Sequence, residues 1–374
     1  MRLTDMNWKK SGAAIAVSLI FSALSLASAA APVAQGDVEL QVTSRIHFNT
    51  NVRDFEAARA FYGALGFETL TGFPDTNTQA MAEAIGVTVP TAYDGSQGGE
   101  AGGYFLHGEL IGVNGFKGGV IDLIEFTIPR NEASPYPRLN RLGMVSADMY
   151  TTDIDADYAY MRDIGVEFLA APVARADGSR FAVFKDQDGT FYKLVEVPGD
   201  KESNGKTFIN SLGAITLNVS DLDESIAWYG MFGYEFERSL PETESIDVAR
   251  ALGFEEEIRI KGAVLVNPAD DSRFELIQWI SHFDDTPPYP IPINHIGIHR
   301  MALATTDIEA DSAALRAQGV EFVSEITPCC SGPDSSSSIV VFYDPDGILV
   351  ELAHQPWIAQ YLFPIILWFR DLFD

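Results

Sequence analysis

Cysteine is nearly absent from the chain: 374 residues hold two, and these two, Cys329 and Cys330, are adjacent. A fold stapled by disulfides is therefore excluded, because a vicinal pair can close only one local bridge, and with no histidine nearby it lacks the spacing of a thiolate metal site. Positive charge is scarce too. Lys and Arg number 25 against 53 Asp and Glu, a formal net charge of −28. A surface so acidic repels phosphate, which argues against nucleic acid and anionic lipid as partners. Long apolar runs are few, and neither Ser11 to Leu26 nor Trp357 to Phe369 reaches the length of a bilayer span.

The two runs differ in their flanks. Arg2, Lys9 and Lys10 precede the first and Ala27-Ser28-Ala29 follows it, the pattern of a signal peptide over residues 1–29. A periplasmic or secreted protein is expected, with 30–43 as a flexible lead. The second run contains Gln360 and a central Pro364 within the tail 356–374. Such a segment suits a strap on the protein's own sheet, a subunit contact or a peripheral membrane foot.

What remains is repetitive. Asp344-Pro345-Asp346-Gly347 is strong turn chemistry feeding a strand, Ile348 to Leu352, in which Glu351 stands among aliphatic residues. Asp186-Gln187-Asp188-Gly189 repeats this frame, with Lys193 in place of the glutamate. Ile121 to Phe126 and Phe274 to Trp279 carry the same acid-then-leucine signature at Asp122 and Glu275. Each such strand closes a unit that opens with an alternating strand, an aspartate and an amphipathic helix. Asp54 precedes Phe61-Tyr62-Gly63-Ala64-Leu65-Gly66-Phe67, and Asp221 precedes Trp228-Tyr229-Gly230-Met231-Phe232-Gly233-Tyr234. Thr151-Thr152-Asp153-Ile154 likewise matches Thr305-Thr306-Asp307-Ile308. Long and short units alternate, the long ones carrying an insert with a short helix near Ala80 to Ile85 or at Val248 to Leu252. The linkers agree as well, through Pro135-Tyr136-Pro137 and Pro288-Tyr289-Pro290.

Four β-α-β-β-β units with these motifs resemble the vicinal oxygen chelate superfamily of glyoxalase I, extradiol dioxygenases and bleomycin-resistance proteins. The resemblance implies an α+β fold in which four modules (44–138, 139–200, 207–283 and 292–355) build two cupped mixed sheets with flanking helices. It further implies that each pair of modules offers four slots for a divalent metal: one on each first strand, seven residues before the helix aspartate, and one on each last strand. Here the first-strand slots hold His47, Ser146, Ala214 and Arg300, and the last-strand slots hold Asp122, Lys193, Glu275 and Glu351.

That content departs from the family. If neighbouring modules pair, Lys193 neutralises Asp122 and Arg300 lies between Glu275 and Glu351, so a fixed cation replaces the ion and no cofactor is expected. If instead the first module pairs with the fourth, His47, Asp122 and Glu351 form a set for Zn, Fe, Mn or Ni beside Arg300. Three functions follow. One is a pocket for a small, partly apolar organic molecule, contacted by Arg300, Glu275 and Tyr192. Another is a metal-independent enzyme with His47 as base, Asp122 orienting it and Ser146 or Lys193 stabilising negative charge. The third is a metal-dependent lyase, isomerase or dioxygenase. His299, one residue from a slot, should face the other way unless a bulge shifts its strand.

Overall fold

A computed structural model describes residues 38–72, 77–330 and 332–354. The expected signal peptide, the tail 356–374 and most of the segment 30–43 lie outside the described residues. The first module runs β1 (Val42–Asn51), α1 (Phe55–Ala64), β2 (Glu68–Gly72), α2 (Gln79–Ala84), β3 (Phe105–Gly112) and β4 (Ile121–Ile128). The second contains β5 (Gly143–Thr151), α3 (Ile154–Asp163), β6 (Glu167–Phe168), β7 (Val173–Ala174), β8 (Arg180–Lys185) and β9 (Phe191–Glu196). The third contains β10 (Ile209–Asn218), α4 (Leu222–Gly230), β11 (Glu235–Ser239), β12 (Thr243–Glu244), α5 (Ile246–Ala251), β13 (Ile258–Val266) and β14 (Arg273–Trp279). The fourth contains β15 (Gly297–Thr305), α6 (Ile308–Ala317), β16 (Thr327–Cys329), β17 (Ser337–Tyr343) and β18 (Leu349–His354).

Local chemistry sets the element ends. Asp54, Asp153, Asp221 and Asp307 each cap a helix, accepting a hydrogen bond from a backbone N–H in its first turn. Gly66 leaves α1 with φ +95°, and a side chain there would meet Asn204, so glycine is required on both counts.

The strands form two sheets. One has the order β16-β17-β18-β15-β1-β4-β3-β2, the other β11-β13-β14-β10-β5-β9-β8-β6. Module one therefore pairs with module four through antiparallel β1 and β15, and module two pairs with module three through antiparallel β5 and β10. Pairing within each half, module one with two and module three with four, the arrangement in which Lys193 would meet Asp122, does not occur.

The two modules of each half are joined differently, by the turn and helix motifs. The Tyr62 hydroxyl of α1 donates to Asp186 in the second module's turn at 3.1 Å, and Tyr229 of α4 donates to Asp344 in the fourth module's turn at 2.8 Å. The second aspartate of each turn accepts a backbone N–H just ahead of a helix: Asp188 from Arg53, and Asp346 from Ser220. Every one of these bonds crosses between sheets. The repeated Tyr and Asp-x-Asp-Gly motifs are thus structural ties. The linkers meet as well, with the Tyr136 and Tyr289 rings 4.6 Å apart and the Arg141 guanidinium over both.

Alternation then sorts the side chains. Phe48, Ile121, Tyr192, Ile215, Phe274, Met301 and Val350 join residues of α1, α3, α4 and α6 in one central cluster shared by both sheets. The opposite face of the first sheet forms a cluster covered by Met81, Ala82 and Ala84 of α2. Its counterpart on the second sheet is covered by Val248, Ala249 and Ala251 of α5. The inserts of the long modules are the covers of the cupped faces.

Candidate functional site

Two polar centres lie on those cupped faces, one per sheet. In the first sheet, β1 runs parallel to β4 with Asn49 beside Asp122, and β15 runs parallel to β18 with Ala302 beside Glu351. His47, Asp122, Arg300 and Glu351 consequently share one face. The Arg300 guanidinium reaches Asp122 Oδ2 at 2.9 Å and Glu351 Oε2 at 2.5 Å. His47 Nδ1 stands 3.9 Å from the same Asp122 oxygen. Asp122, Arg300 and Glu351 are all buried.

Burial governs the protonation of this group. It pushes Asp122 up to about 7, with Arg300 opposing and Glu351 reinforcing the rise. Glu351 is raised for the same first reason, against the pull of Arg300. His47 is held down to about 3 by desolvation and by the neighbouring guanidinium, so its imidazole is neutral. Several atoms are left over. Among the described residues His47 Nδ1, Asp122 Oδ1 and Arg300 Nε are buried without a hydrogen-bond partner.

The histidine outside the slots is drawn in. Phe48 pairs with Met301 and Thr50 with Ile298, so two residues of β15, His299 and Arg300, oppose one of β1, Asn49. This irregularity turns His299 inward, where its Nε2 lies 3.2 Å from Asn51 Nδ2 and 2.9 Å from the Ile293 carbonyl. Desolvation lowers its pKa to about 4.

The second sheet brings Ser146, Lys193, Ala214 and Glu275 to the corresponding slots. Lys193 Nζ is ion-paired with Glu275 and, at 3.1 Å, with Asp148. Arg175, from the tip of the β7–β8 hairpin, reaches Glu275 at 3.0 Å and Glu244 of the insert at 3.5 Å. Thr216 Oγ1 donates to Glu275 at 3.2 Å. Against the burial that would raise it, Lys193 and Arg175 hold the Glu275 carboxyl well below its usual range. Asp148 is pushed up to about 6, chiefly by burial and against Lys193.

The sequence-derived candidates are thereby divided. His47, Asp122, Arg300 and Glu351 meet, whereas Ser146, Lys193 and Glu275 belong to the other centre. Ser146 is not placed with His47 and Asp122, and Arg300 bridges Asp122 and Glu351 rather than two glutamates. Tyr192 points away from both cupped faces; its hydroxyl meets Thr50 at 2.6 Å and Tyr62 at 2.9 Å inside the central cluster. Asp148, Arg175 and Glu244 were missed. Asp148 carried a signal, being a charge two residues after a slot and so on the same strand face. Arg175 and Glu244 come from a hairpin tip and an insert, where periodicity says nothing.

Grooves of about 320 and 580 Å³ open beside α1, the first around Arg59 and Glu109, the second around Arg53, His107 and Glu125. No slot residue lines either one. The two centres are instead sealed beneath α2 and α5.

A divalent ion, which the family resemblance implies, fits neither donor set. In each centre the carboxylates that would ligate it already hold a fixed side-chain cation, and that cation would repel the ion at contact range. Among the described residues no group of three or more His, Cys, Asp or Glu is arranged to hold a metal.

Among curated proteins no sequence matches this chain. Among solved structures, glyoxalase I from Zea mays is similar with a TM-score of 0.56 at 16% identity, over 83% of this chain and 92% of that one. A candidate dioxygenase from Bacillus subtilis is similar with a TM-score of 0.53 at 13% identity, over 85% of this chain and 86% of that one. At such identities the likeness is one of fold. Residues 45–192 and 211–352 match the family description itself, and the chain belongs to the Glyoxalase/Bleomycin resistance protein/Dioxygenase superfamily.

Proposed function

We propose that the protein is an exported member of this superfamily that binds a small, partly apolar organic molecule at the Arg300 centre without a divalent metal. The Lys193 centre is its structural counterpart. The observation that carries this reading is the set of buried polar atoms without hydrogen-bond partners on His47, Asp122 and Arg300, three side chains already in contact. Of the corresponding atoms in the Lys193 centre, Asp148 Oδ1, Arg175 Nε and Glu244 Oε1 each face an opposite charge within 3.5 Å, and Ser146 Oγ is left over. A buried polar group without a partner costs roughly 1–3 kcal/mol, which a ligand offering hydroxyl or carbonyl oxygens would offset. Around these atoms stand Ile124, Phe126, Leu349 and Val341, an apolar wall suited to a carbon skeleton. Both terminal nitrogens of Arg300 are engaged by carboxylates, Asp122 and Glu351, so its charge is already matched and Nε is its nitrogen without a partner. A neutral oxygenated molecule is therefore favoured over a carboxylate or phosphate.

In this reading the apolar wall seats the carbon skeleton and Arg300 Nε donates to one of its oxygens. His47, neutral, orients a second polar group. An imidazole with a pKa near 3 is too weak a base to carry a proton at neutral pH. Asp122, pushed up to about 7, is the better proton carrier, so any acid–base chemistry at this centre would run through it.

The test is native mass spectrometry of the chain against a library of phenols and hydroxyketones. His47→Ala and Asp122→Asn are expected to weaken a retained compound about tenfold, the worth of one buried hydrogen bond. Ser146→Ala, in the other centre, should leave it unchanged. Equal weakening by Ser146→Ala, or no retention by the wild type across the library, would overturn the proposal.

A further inference from the structure

We infer that the Cys329–Cys330 disulfide is a redox-sensitive latch that fastens the insert helix α2 over the Arg300 centre. The inference rests on the near-symmetry of the two sheets. Ala174 pairs with Arg180 across the β7–β8 hairpin as Pro328 pairs with Ser338 across β16–β17. The next residue in each hairpin is Arg175 in one sheet and Cys329 in the other. The inserts correspond in the same way: Ser245 caps α5 as Thr78 caps α2. The preceding residues are Glu244 and Asn77.

In the second sheet those two positions are joined, since Arg175 reaches Glu244 at 3.5 Å and ties hairpin to insert. In the first sheet the matching residues form no such ion pair. Asn77 instead turns its amide to the Tyr104 carbonyl. From the hairpin side the cover is met by Cys329, buried in the cluster with Met81, Ala82, Ala84 and Ile85 of the insert and with Val341 and Leu349 of the cupped face. Its bonded neighbour Cys330 is exposed. One sulfur of the bridge therefore packs under α2 and the other faces solvent, where a thiol can reach it.

The chemistry requires a dithiol reductant. One of its thiolates attacks the Cys330 sulfur, forming a mixed disulfide and expelling the Cys329 thiolate. Its second thiolate then closes the reductant's own disulfide and expels the Cys330 thiolate. Both cysteine sulfurs take up protons, and two electrons pass from reductant to protein. Opening the ring frees the hairpin tip, so Cys329 can leave the cluster and α2 loses its contact with the hairpin.

The latch is a regulation of the ligand site proposed above, but its test reads the helix and needs no ligand. Hydrogen exchange of the full chain is followed with and without dithiothreitol, with alkylation and intact mass reporting the state of the two sulfurs. Reduction is expected to speed exchange in residues 79–87 at least tenfold and leave 246–254 unchanged. Arg175→Met is expected to do the reverse, loosening 246–254 alone. Equal exchange in 79–87 before and after verified reduction, equal acceleration of both inserts, or free thiols in protein purified without reductant would each overturn the latch. Failure of ligand binding with an intact exchange difference would count against the ligand proposal alone.

Discussion

The Arg300 and Lys193 centres occupy equivalent places on equivalent sheets, yet they differ in how many ion pairs hold them together. At the Lys193 centre, two cations and three carboxylates interlock: Lys193 with Asp148 and Glu275, and Arg175 with Glu275 and Glu244. At the Arg300 centre one guanidinium serves two carboxylates, and a neutral imidazole stands 3.9 Å away with its Nδ1 unpartnered. The denser set of ion pairs ties strand, hairpin and insert together, whereas the Arg300 centre pairs charges only between strands of the sheet. Duplication supplied two frames, and their slots hold different charges.

The sharpest way to break this comparison is to remove Lys193 from the denser network. Lys193→Met leaves Asp148 and Glu275 facing each other in a buried site, and a loss of about 3–5 kcal/mol is expected in urea unfolding at pH 7.5. A loss below about 1 kcal/mol, the range of an exposed pair, would mean the network is not structural.

Arg300→Met should cost less and depend on pH. Asp122 already sits near 7 and can neutralise itself by protonation, so the expected loss is about 2–3 kcal/mol at pH 8 and smaller at pH 5.5. The wild type should slope the same way. Asp122, Asp186 and Asp344 are each raised to about 7 from 3.8, mainly by burial. Between these values the folded chain binds more protons than the unfolded one, so stability is full below 3.8 and declines as pH rises through 7. Denaturation midpoints at pH 5.5 and 8.0 check this; a higher midpoint at 8.0 would contradict it.

The smallest effect is expected at the ties between sheets. Tyr62→Phe and Tyr229→Phe each remove one buried hydrogen bond to a turn aspartate, for about 1–2 kcal/mol apiece. Similar losses from the two would show that the duplicated ties are equivalent even though the centres are not.

Much of the fold was legible because the signals repeat. The aspartate caps, the Tyr-x-x-[LF]-Gly helix ends and the Asp-x-Asp-Gly turns each recur in register, so an ambiguous strand in one module is identified by its twin. Which modules pair was not legible. Strands β5 and β15 have nearly the same pattern, and either would cover β1; the choice depends on contacts between modules, which no single strand encodes. The slots were located through the family resemblance, yet their grouping was not readable, since it follows the pairing. His299 needed a bulge, and Arg175 reaches its centre from a hairpin tip. Tyr192 was misplaced for a simpler reason: it neighbours Lys193, and adjacent strand residues face opposite ways.

The central claim is that the Arg300 guanidinium stands where relatives of this fold would hold an ion. Elemental analysis after dialysis against Zn, Mn, Fe or Ni tests it most directly, on wild type and Arg300→Ala side by side. The account predicts far less than one equivalent in the wild type and a gain in the variant, where His47, Asp122 and Glu351 are released as ligands. One tightly held equivalent in the wild type would contradict it.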